Sequence, residues 1–162
     1  MEIPQGVTVR VEGRKVTVKG PQGEVHREFR REAQVKVSGN LVEVSCREPA
    51  LRGTTESLIS NMIKGAAAGY SRNLKLLYAH FPISLEVKGS DITIKNFLGE
   101  KQPRKTVLIG NTKVQAKGQS VVVSGPDKEA VGQTIANLRQ AMKIKDKDSR
   151  VFQDGIYELE GE

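Results

Sequence analysis

The sequence predicts an α+β fold, a tandem duplication of a small unit in which antiparallel β-hairpins pack on one α-helix. Three observations lead to this prediction: short stretches alternate apolar and polar residues, each half of the chain contains one amphipathic helical segment, and the order of these patterns recurs. A period of two is typical of strands that bury one face, and a period near 3.6 is typical of amphipathic helices. One helix over one face of hairpins defines the α+β class.

The repeat is visible when the chain is compared with itself. Val-Thr-Val-Lys at 16–19 corresponds to Ile-Thr-Ile-Lys at 92–95, and the Gly-Glu pair at 23–24 corresponds to the one at 99–100. The offset between the two copies is 76 residues. Residues 35–45 and 114–124 share a second alternating pattern at an offset of 79 residues. We therefore predict a first α+β repeat at 1–81, a second at 82–150, and an acidic C-terminal tail at 151–162.

Hairpins account for most of each copy, because pairs of alternating stretches flank short clusters of turn-forming residues. The paired stretches are 7–11 with 16–18 and 35–37 with 42–44 in the first copy, and 85–87 with 92–94 and 114–116 with 121–123 in the second. A further turn is expected at Gly20–Gly23, where Gly-Pro-Gln-Gly redirects the chain.

One helix is expected at the end of each copy. Thr54 or Thr55 is expected to cap the start of the first helix, Gly65 or Gly69 to end it, and Asp127 to cap the second. The apolar stripes, which we assign to the core and not to a cofactor site, are Leu58, Ile59, Met62, Ile63 and Ala66, then Val131, Ile135, Leu138 and Met142. Residues 70–81 contain enough apolar side chains to predict a packed junction between the copies.

Charge is unevenly distributed along the chain. Its 162 residues include 26 Lys and Arg against 19 Asp and Glu, a formal net charge of +7. Residues 88–150 contain 13 of the basic and 6 of the acidic side chains, whereas residues 151–162 contain four acids and no base. Nucleic-acid binders use basic surfaces because lysine and arginine release the counterions condensed on phosphates. The distribution predicts a basic working surface in the second repeat and an acidic end that stays off it.

The sequence contains no enzyme signature, neither a G-x-S-x-G nucleophile elbow nor a phosphate-binding P-loop. His26, His80 and Cys46 lack the spacing of metal ligands. His26 is expected to face solvent, His80 to be a hydrogen-bonded structural residue, and Cys46 to be a buried or half-buried thiol. We therefore expect no catalytic residue, no cofactor and no metal. The absence of a signal peptide and of a long apolar run predicts a cytoplasmic protein without a membrane span.

Aromatic residues are few, four Phe and three Tyr with no Trp, and the predicted strands carry Val, Thr, Lys and Glu. Sequence-specific binding of single-stranded RNA by base stacking is therefore not expected, and recognition of the backbone and shape of folded RNA by Lys and Arg fits better. The candidate contacts lie in the loop 96–105, in residues 143–150, and at the hairpin tip 117–118. The side chains assigned by charge are Lys101, Arg104, Lys105, Lys117, Lys143, Lys145, Lys147 and Arg150.

Six motifs run through nearly the whole chain: VKGPQGE at 18–24, NMIKG at 61–65, YAHFP at 78–82, NFLGEK at 96–101, DKEAVGQ at 127–133 and VFQDGIY at 151–157. In these motifs and their order the sequence resembles the large-subunit ribosomal protein L6 family, called L9 in eukaryotic ribosomes. The YAHFP, NFLGEK and FQDGIY motifs resemble the archaeal and eukaryotic branch of that family.

The resemblance implies a duplicated α+β fold and a structural constituent of the large ribosomal subunit that supports translation in the cytoplasm. It implies binding to large-subunit ribosomal RNA near the sarcin–ricin loop, with neighbouring ribosomal proteins as partners and GTPase translation factors docking close by. The RNA-contacting positions that it implies are Phe97, Leu98, Gly99, Glu100 and Lys101 in NFLGEK, and Asp154, Gly155 and Tyr157 in FQDGIY.

Two alternative functions are kept. The chain could be a protein-interaction module that uses exposed hairpin edges, with incidental RNA binding. It could also be a metal-dependent hydrolase that uses Asp146, Asp148 and Asp154, although these residues alternate with basic ones and mutual ion pairing fits them better.

Overall fold

The structure is a computed structural model that describes residues 1–159. The chain forms two compact units. The first consists of residues 1–70 together with 126–128, and the second contains the remainder of the described chain.

The first unit contains five strands and one long helix. Its elements are β1 (Thr8–Glu12), β2 (Lys15–Gly20), β3 (Gly23–Glu28), β4 (Gln34–Ser38), β5 (Leu41–Ser45) and α1 (Pro49–Ala68). Strands β1, β2 and β3 form an antiparallel sheet in that order, and β4 pairs with β5. Val16 and Val18 in the central strand are fully buried, as are Ile59 and Ala66 of α1. The helix therefore closes one face of the sheet with its apolar stripe.

The second unit contains seven strands and the second helix. Its elements are β6 (Tyr70–Leu77), β7 (Ser84–Lys88), β8 (Asp91–Lys95), β9 (Arg104–Val107), β10 (Lys113–Lys117), β11 (Ser120–Gly125), α2 (Lys128–Ala141) and β12 (Gly155–Glu158). Strands β7, β8 and β9 form one sheet, and the order in the other is β10-β11-β6-β12. Ile92, Ile94, Val121, Val123 and Leu138 are fully buried.

The duplication predicted from the sequence is confirmed. Shifting β1 by 76 residues gives the bounds of β7, and shifting β4 by 79 residues gives those of β10. The tips of the equivalent hairpins also agree, since Gly39 and Gly118 have φ values of +61° and +60°. Such left-handed backbone favours glycine because it has no Cβ. Both copies therefore follow one plan, and the additional residues of the second copy fall between β8 and β9.

The first helix begins earlier than predicted. It starts at Pro49, with Glu48 at the N-cap position, so the prediction that Thr54 or Thr55 caps it is wrong. Proline suits the first helical position, where its missing N–H would have no partner within the helix. The Thr54 and Thr55 hydroxyls instead donate to carbonyls one turn earlier, at 3.0 and 2.8 Å. The predicted end at Gly69 is confirmed.

The joining segment is a strand of the second unit. Residues 70–77 form β6, in which Leu74 and Leu76 are buried, and β6 lies between β11 and β12 in the sheet. The compact units therefore divide near Tyr70 and not at Phe81. Residues 155–158, placed in the predicted tail, form β12. The last residues of that tail, 160–162, lie outside the described part of the chain.

Two glycines of α1 give a matched test of the packing. We expect Gly53→Ala to raise the free energy of unfolding by about 1 kcal/mol, because the site is open and alanine favours helix. We expect Gly65→Ala to lower it by roughly 1–3 kcal/mol, because its new Cβ would overlap the carbonyl oxygen of Pro126. Urea unfolding of both variants measures the difference. Stabilisation by both substitutions would contradict this packing.

Candidate nucleic-acid interface

The loop after β8 is held in place by a buried aromatic ring. Residues 97–99 form a short 3-10 turn, and the Phe97 side chain is 1% exposed. Asn96 and Leu98 have left-handed backbone, with φ values of +59° and +52°, and the Asn96 amide donates to the Pro82 carbonyl at 3.0 Å. The ring of Phe97 thus anchors a strongly turned segment whose next residues, including Lys101, are exposed.

Arg104 connects this loop to the end of α2. Its guanidinium donates to both carboxylate oxygens of Glu100, at 2.8 and 2.6 Å, in a bidentate pair. The same group donates to the carbonyl oxygens of Ala141 and Lys143, at 2.8 and 3.1 Å. Its central carbon also lies 4.5 Å from the centroid of the Phe97 ring. One side chain therefore joins the loop, the start of β9, the last helical carbonyl of α2 and a carbonyl just after the helix.

The electrostatics of this contact follow from the bidentate geometry. The hydrogen bond from Arg104, reinforced by its positive charge, lowers the pKa of Glu100 from its ordinary value. Burial acts in the opposite direction but less strongly than the hydrogen bond. Glu100 is thus a carboxylate whose charge is neutralised locally, and it does little to repel a polyanion.

Exposed lysines lie on the segments that Arg104 joins. Lys101 and Lys105 flank it in sequence, and the backbone of Lys143 accepts one of its hydrogen bonds. All three lysines are exposed. Arg104 itself is only half-exposed and its donors are engaged, so its position suits it to arrange the lysines and less to contact a ligand. Charge alone does not distinguish these two roles, because it assigns Arg104 and the lysines alike as side chains that contact RNA.

The segment after α2 also presents basic side chains to solvent. Lys145, Lys147 and Arg150 are exposed, as is Lys117 at the tip of the β10–β11 hairpin. Arg150 pairs with Asp148 at 3.1 Å, and its hydrogen bonds lower the pKa of that carboxylate. The interpretation of these aspartates as ion-pairing residues thus fits Asp148. Within residues 1–159, no group of three His, Cys, Asp or Glu side chains is arranged to hold a metal ion.

The FQDGIY motif places its residues at different depths. Asp154 is buried, its Oδ2 accepts from the Ala79 N–H at 3.4 Å, and its Oδ1 lies 3.8 Å from Nδ1 of His80. Gly155 is buried in β12, whereas Tyr157 is 45% exposed. His80, which was expected to be a hydrogen-bonded structural residue, instead stacks on the Phe152 ring at 5.2 Å, and its 3.8 Å separation from the buried carboxylate is too long for a hydrogen bond.

The structure thus separates the predicted contact residues into two groups. Buried ones, Phe97, Asp154 and Gly155, support the surface from inside, and Leu98 is half-buried. The remaining positions reach solvent, including Gly99 and Glu100. His26 is exposed and Cys46 is half-buried, as expected. Arg139 and Phe152, which were not among the predicted contacts, line one groove together with Lys143 and Tyr157, and the only sequence signal for Phe152 was its place in the VFQDGIY motif.

Together these features define a duplicated α+β protein whose second unit presents a lysine-rich loop surface of the kind that meets polyanions. No helix in the described residues is long and apolar enough to cross a membrane.

Comparison with known proteins identifies the family. Residues 3–69 and 81–155 match the family described as ribosomal protein L6. The chain is 46% identical to the large ribosomal subunit protein uL6 of Methanocella arvoryzae, over 97% of this chain and 93% of that protein. It is 46% identical to that of Aeropyrum pernix, over 100% and 93% of the two chains. It is 41% identical to that of Haloarcula marismortui, over 97% and 92%.

The chain therefore belongs to the ribosomal protein L6 family, in its archaeal and eukaryotic branch. The resemblance seen in the six motifs is confirmed. Because the relatives are named as ribosomal proteins, structural components rather than enzymes, the expectation that the chain is not an enzyme is also confirmed.

The contact made by Arg104 can be tested by stability. We expect Arg104→Lys to lower the free energy of unfolding by about 1.5–3 kcal/mol, because an ammonium cannot reproduce the bidentate pair and both carbonyl bonds. The matched control is Arg150→Lys, at an arginine whose side chain is 89% exposed. It should change stability by less than about 0.5 kcal/mol. Equal effects of the two changes in urea unfolding would show that Arg104 is an ordinary surface residue.

Proposed function

We propose that this chain is a structural constituent of the large ribosomal subunit in the cytoplasm and that its second unit binds large-subunit ribosomal RNA. The RNA site is near the sarcin–ricin loop, with other ribosomal proteins as neighbours and GTPase translation factors docking close by. Membership of the L6 family supports the general assignment. The finer location rests on the resemblance of the NFLGEK and FQDGIY motifs.

The observation that carries the RNA assignment is the group of exposed lysines that Arg104 holds together. Lys101, Lys105 and Lys143 lie on segments fixed by four hydrogen bonds from one guanidinium. Fixed cations neutralise phosphates with little additional loss of side-chain and loop freedom. The exposed lysines 145 and 147 extend the basic surface along the chain. Phosphate contacts by these side chains position the protein on folded RNA without reading its sequence.

Charge reversal in matched positions tests which unit makes the contact. We expect Lys101→Glu combined with Lys105→Glu to weaken binding to large-subunit ribosomal RNA more than Arg10→Glu combined with Lys15→Glu. All four side chains are exposed, and the two double variants change the net charge equally. Arg104 is left intact because its loss would disturb the loop.

Filter binding across a salt series gives the measurement. The wild-type log–log slope should be steep, about −0.7 to −0.9 per phosphate neutralised, and shallower only in the 101/105 variant. A flat wild-type dependence would contradict the proposal. Equal losses of RNA affinity in the two variants would mean that binding depends on the overall charge of the chain and not on the second unit in particular.

Attachment to the ribosome separates this function from the alternative of a protein-interaction module. We expect the chain to leave sedimented large subunits only at a higher salt concentration than an incidental binder does, because several phosphate contacts hold it on folded RNA. An incidental binder would be removed by a wash at lower salt. The 101/105 variant serves as the control that should be lost first.

A further inference from the structure

Exposed rings gather at one end of the second unit. Four of the seven Phe and Tyr residues lie in 78–81 and 152–157, two segments that the antiparallel pairing of Gly155 with Leu77 brings together. Tyr78, Phe81 and Tyr157 are 37%, 45% and 45% exposed. Aromatic surface is favourable to bury, so several rings left in water at one place indicate a binding surface.

A groove opens beside two of these rings. Its volume is about 540 Å³, and it runs between the end of α2 and β12. Arg139, Gln140 and Lys143 line the helix side, while Phe152 and Tyr157 line the other. Sites for small ligands have volumes of about 300–1,000 Å³, which makes the groove large enough for one nucleotide.

The two rings are held in position before anything binds. The Tyr157 hydroxyl donates to the Gln153 carbonyl at 3.0 Å, and the ring lies over Gly155, where a Cβ would be 3.6 Å away. Phe152 is fixed by His80, whose ring stacks on it, and by the Lys147 ammonium at 4.8 Å from its centroid. Rings fixed in this way lose little conformational freedom when a flat partner stacks on them.

The charges around the groove favour an anion. Arg139 and Lys143 are exposed at its rim, and Lys147 lies against Phe152. Among the described residues that line the groove, Asp154 is the one carboxylate, and it is enclosed and faces His80. Within residues 1–159, Arg139 pairs with Glu158 at 3.8 Å, and both side chains are largely exposed. Arg139 can therefore exchange Glu158 for a phosphate at little cost in free energy, since exposed ion pairs contribute little to stability.

We propose that this groove binds one unpaired nucleotide of ribosomal RNA. Its base stacks on Tyr157 and against the edge of Phe152, and its phosphate pairs with Arg139 and Lys143. Stacking on an aromatic ring accepts any base, because every base has a π-face. The inference rests on the proposed function and adds a stacking contact to the phosphate contacts of the lysines. An acidic protein segment could also meet the cations, but it has no flat base to stack on the Tyr157 ring, and the crosslinking experiment below distinguishes the two partners.

Tyr157→Leu in the full-length chain tests the stacking. We expect it to weaken binding to large-subunit ribosomal RNA by about 5- to 150-fold, the range for loss of one stacked base. The salt slope should stay unchanged, because stacking releases no counterions. Tyr157→Phe, which keeps the ring, should retain the affinity.

Chemical probing and crosslinking complete the experiment. One unpaired nucleotide should be protected by wild type and by Tyr157→Phe, and reactive with Tyr157→Leu. Ultraviolet crosslinking of the wild-type complex should join that nucleotide to Tyr157 or Phe152, a readout that does not depend on the folding of a variant. Wild-type affinity in Tyr157→Leu, or a wild-type complex without such a crosslink, would overturn this inference alone. Loss of the steep salt dependence in wild type would overturn the proposed function and this inference with it.

Discussion

The bidentate contact of Arg104 with Glu100, extended to two carbonyl oxygens at the end of α2, is the constraint on which the basic surface depends. A strongly turned loop with left-handed backbone at Asn96 and Leu98 has little regular structure of its own to fix it. Phe97 anchors it from below, and Arg104 lies over the Phe97 ring and ties it to the helix. The lysines around this contact therefore have defined backbone positions. Without it, the same charges would be carried by a mobile loop, and each contact with phosphate would cost more ordering entropy.

The parts of the fold that follow from local sequence were predictable. Hairpins with a glycine at the tip and helices with an apolar stripe are specified by residues close together in the chain. Strands β6, β9 and β12 were not predicted. The last residues of the predicted loop 96–105 form the start of β9, which pairs with β8. Strand β12 has only four residues and becomes a strand by pairing with β6, far earlier in the chain. The start of α1 was misplaced since threonine often caps helices, whereas here Pro49 begins the helix and the threonines bond within it.

The candidate site was predictable as a region and less so as a set of roles. Net charge pointed to residues 88–150, which contain the exposed lysines around Arg104. Charge could not separate Arg104, whose donors are used within the protein, from Lys101, whose ammonium is exposed. The sequence contained a signal for an ion pair at Arg104, because Glu100 stands four residues before it. Only the fold shows that the two side chains do pair. The groove beside Tyr157 was missed because its two sides come from separate segments, the end of α2 and residues 152–157, which meet only in the fold.

The duplicated plan explains why the second unit has a long lysine-bearing loop between β8 and β9, whereas the first unit has only a short turn between the equivalent strands β2 and β3. In the first unit, β2 and β3 are joined by a two-residue turn, and the backbone N–H of Gln22 donates to the Ala66 carbonyl near the end of α1. The backbone of that turn thus provides the hydrogen-bond donor for a carbonyl at the end of α1. In the second unit the Ala141 carbonyl, in the last turn of α2, accepts from the Arg104 side chain instead. Because the Arg104 side chain donates to the helix end, the backbone between β8 and β9 does not have to supply that hydrogen bond. The connection between β8 and β9 can then be longer, turn outwards and present lysines, while the helix terminus remains satisfied.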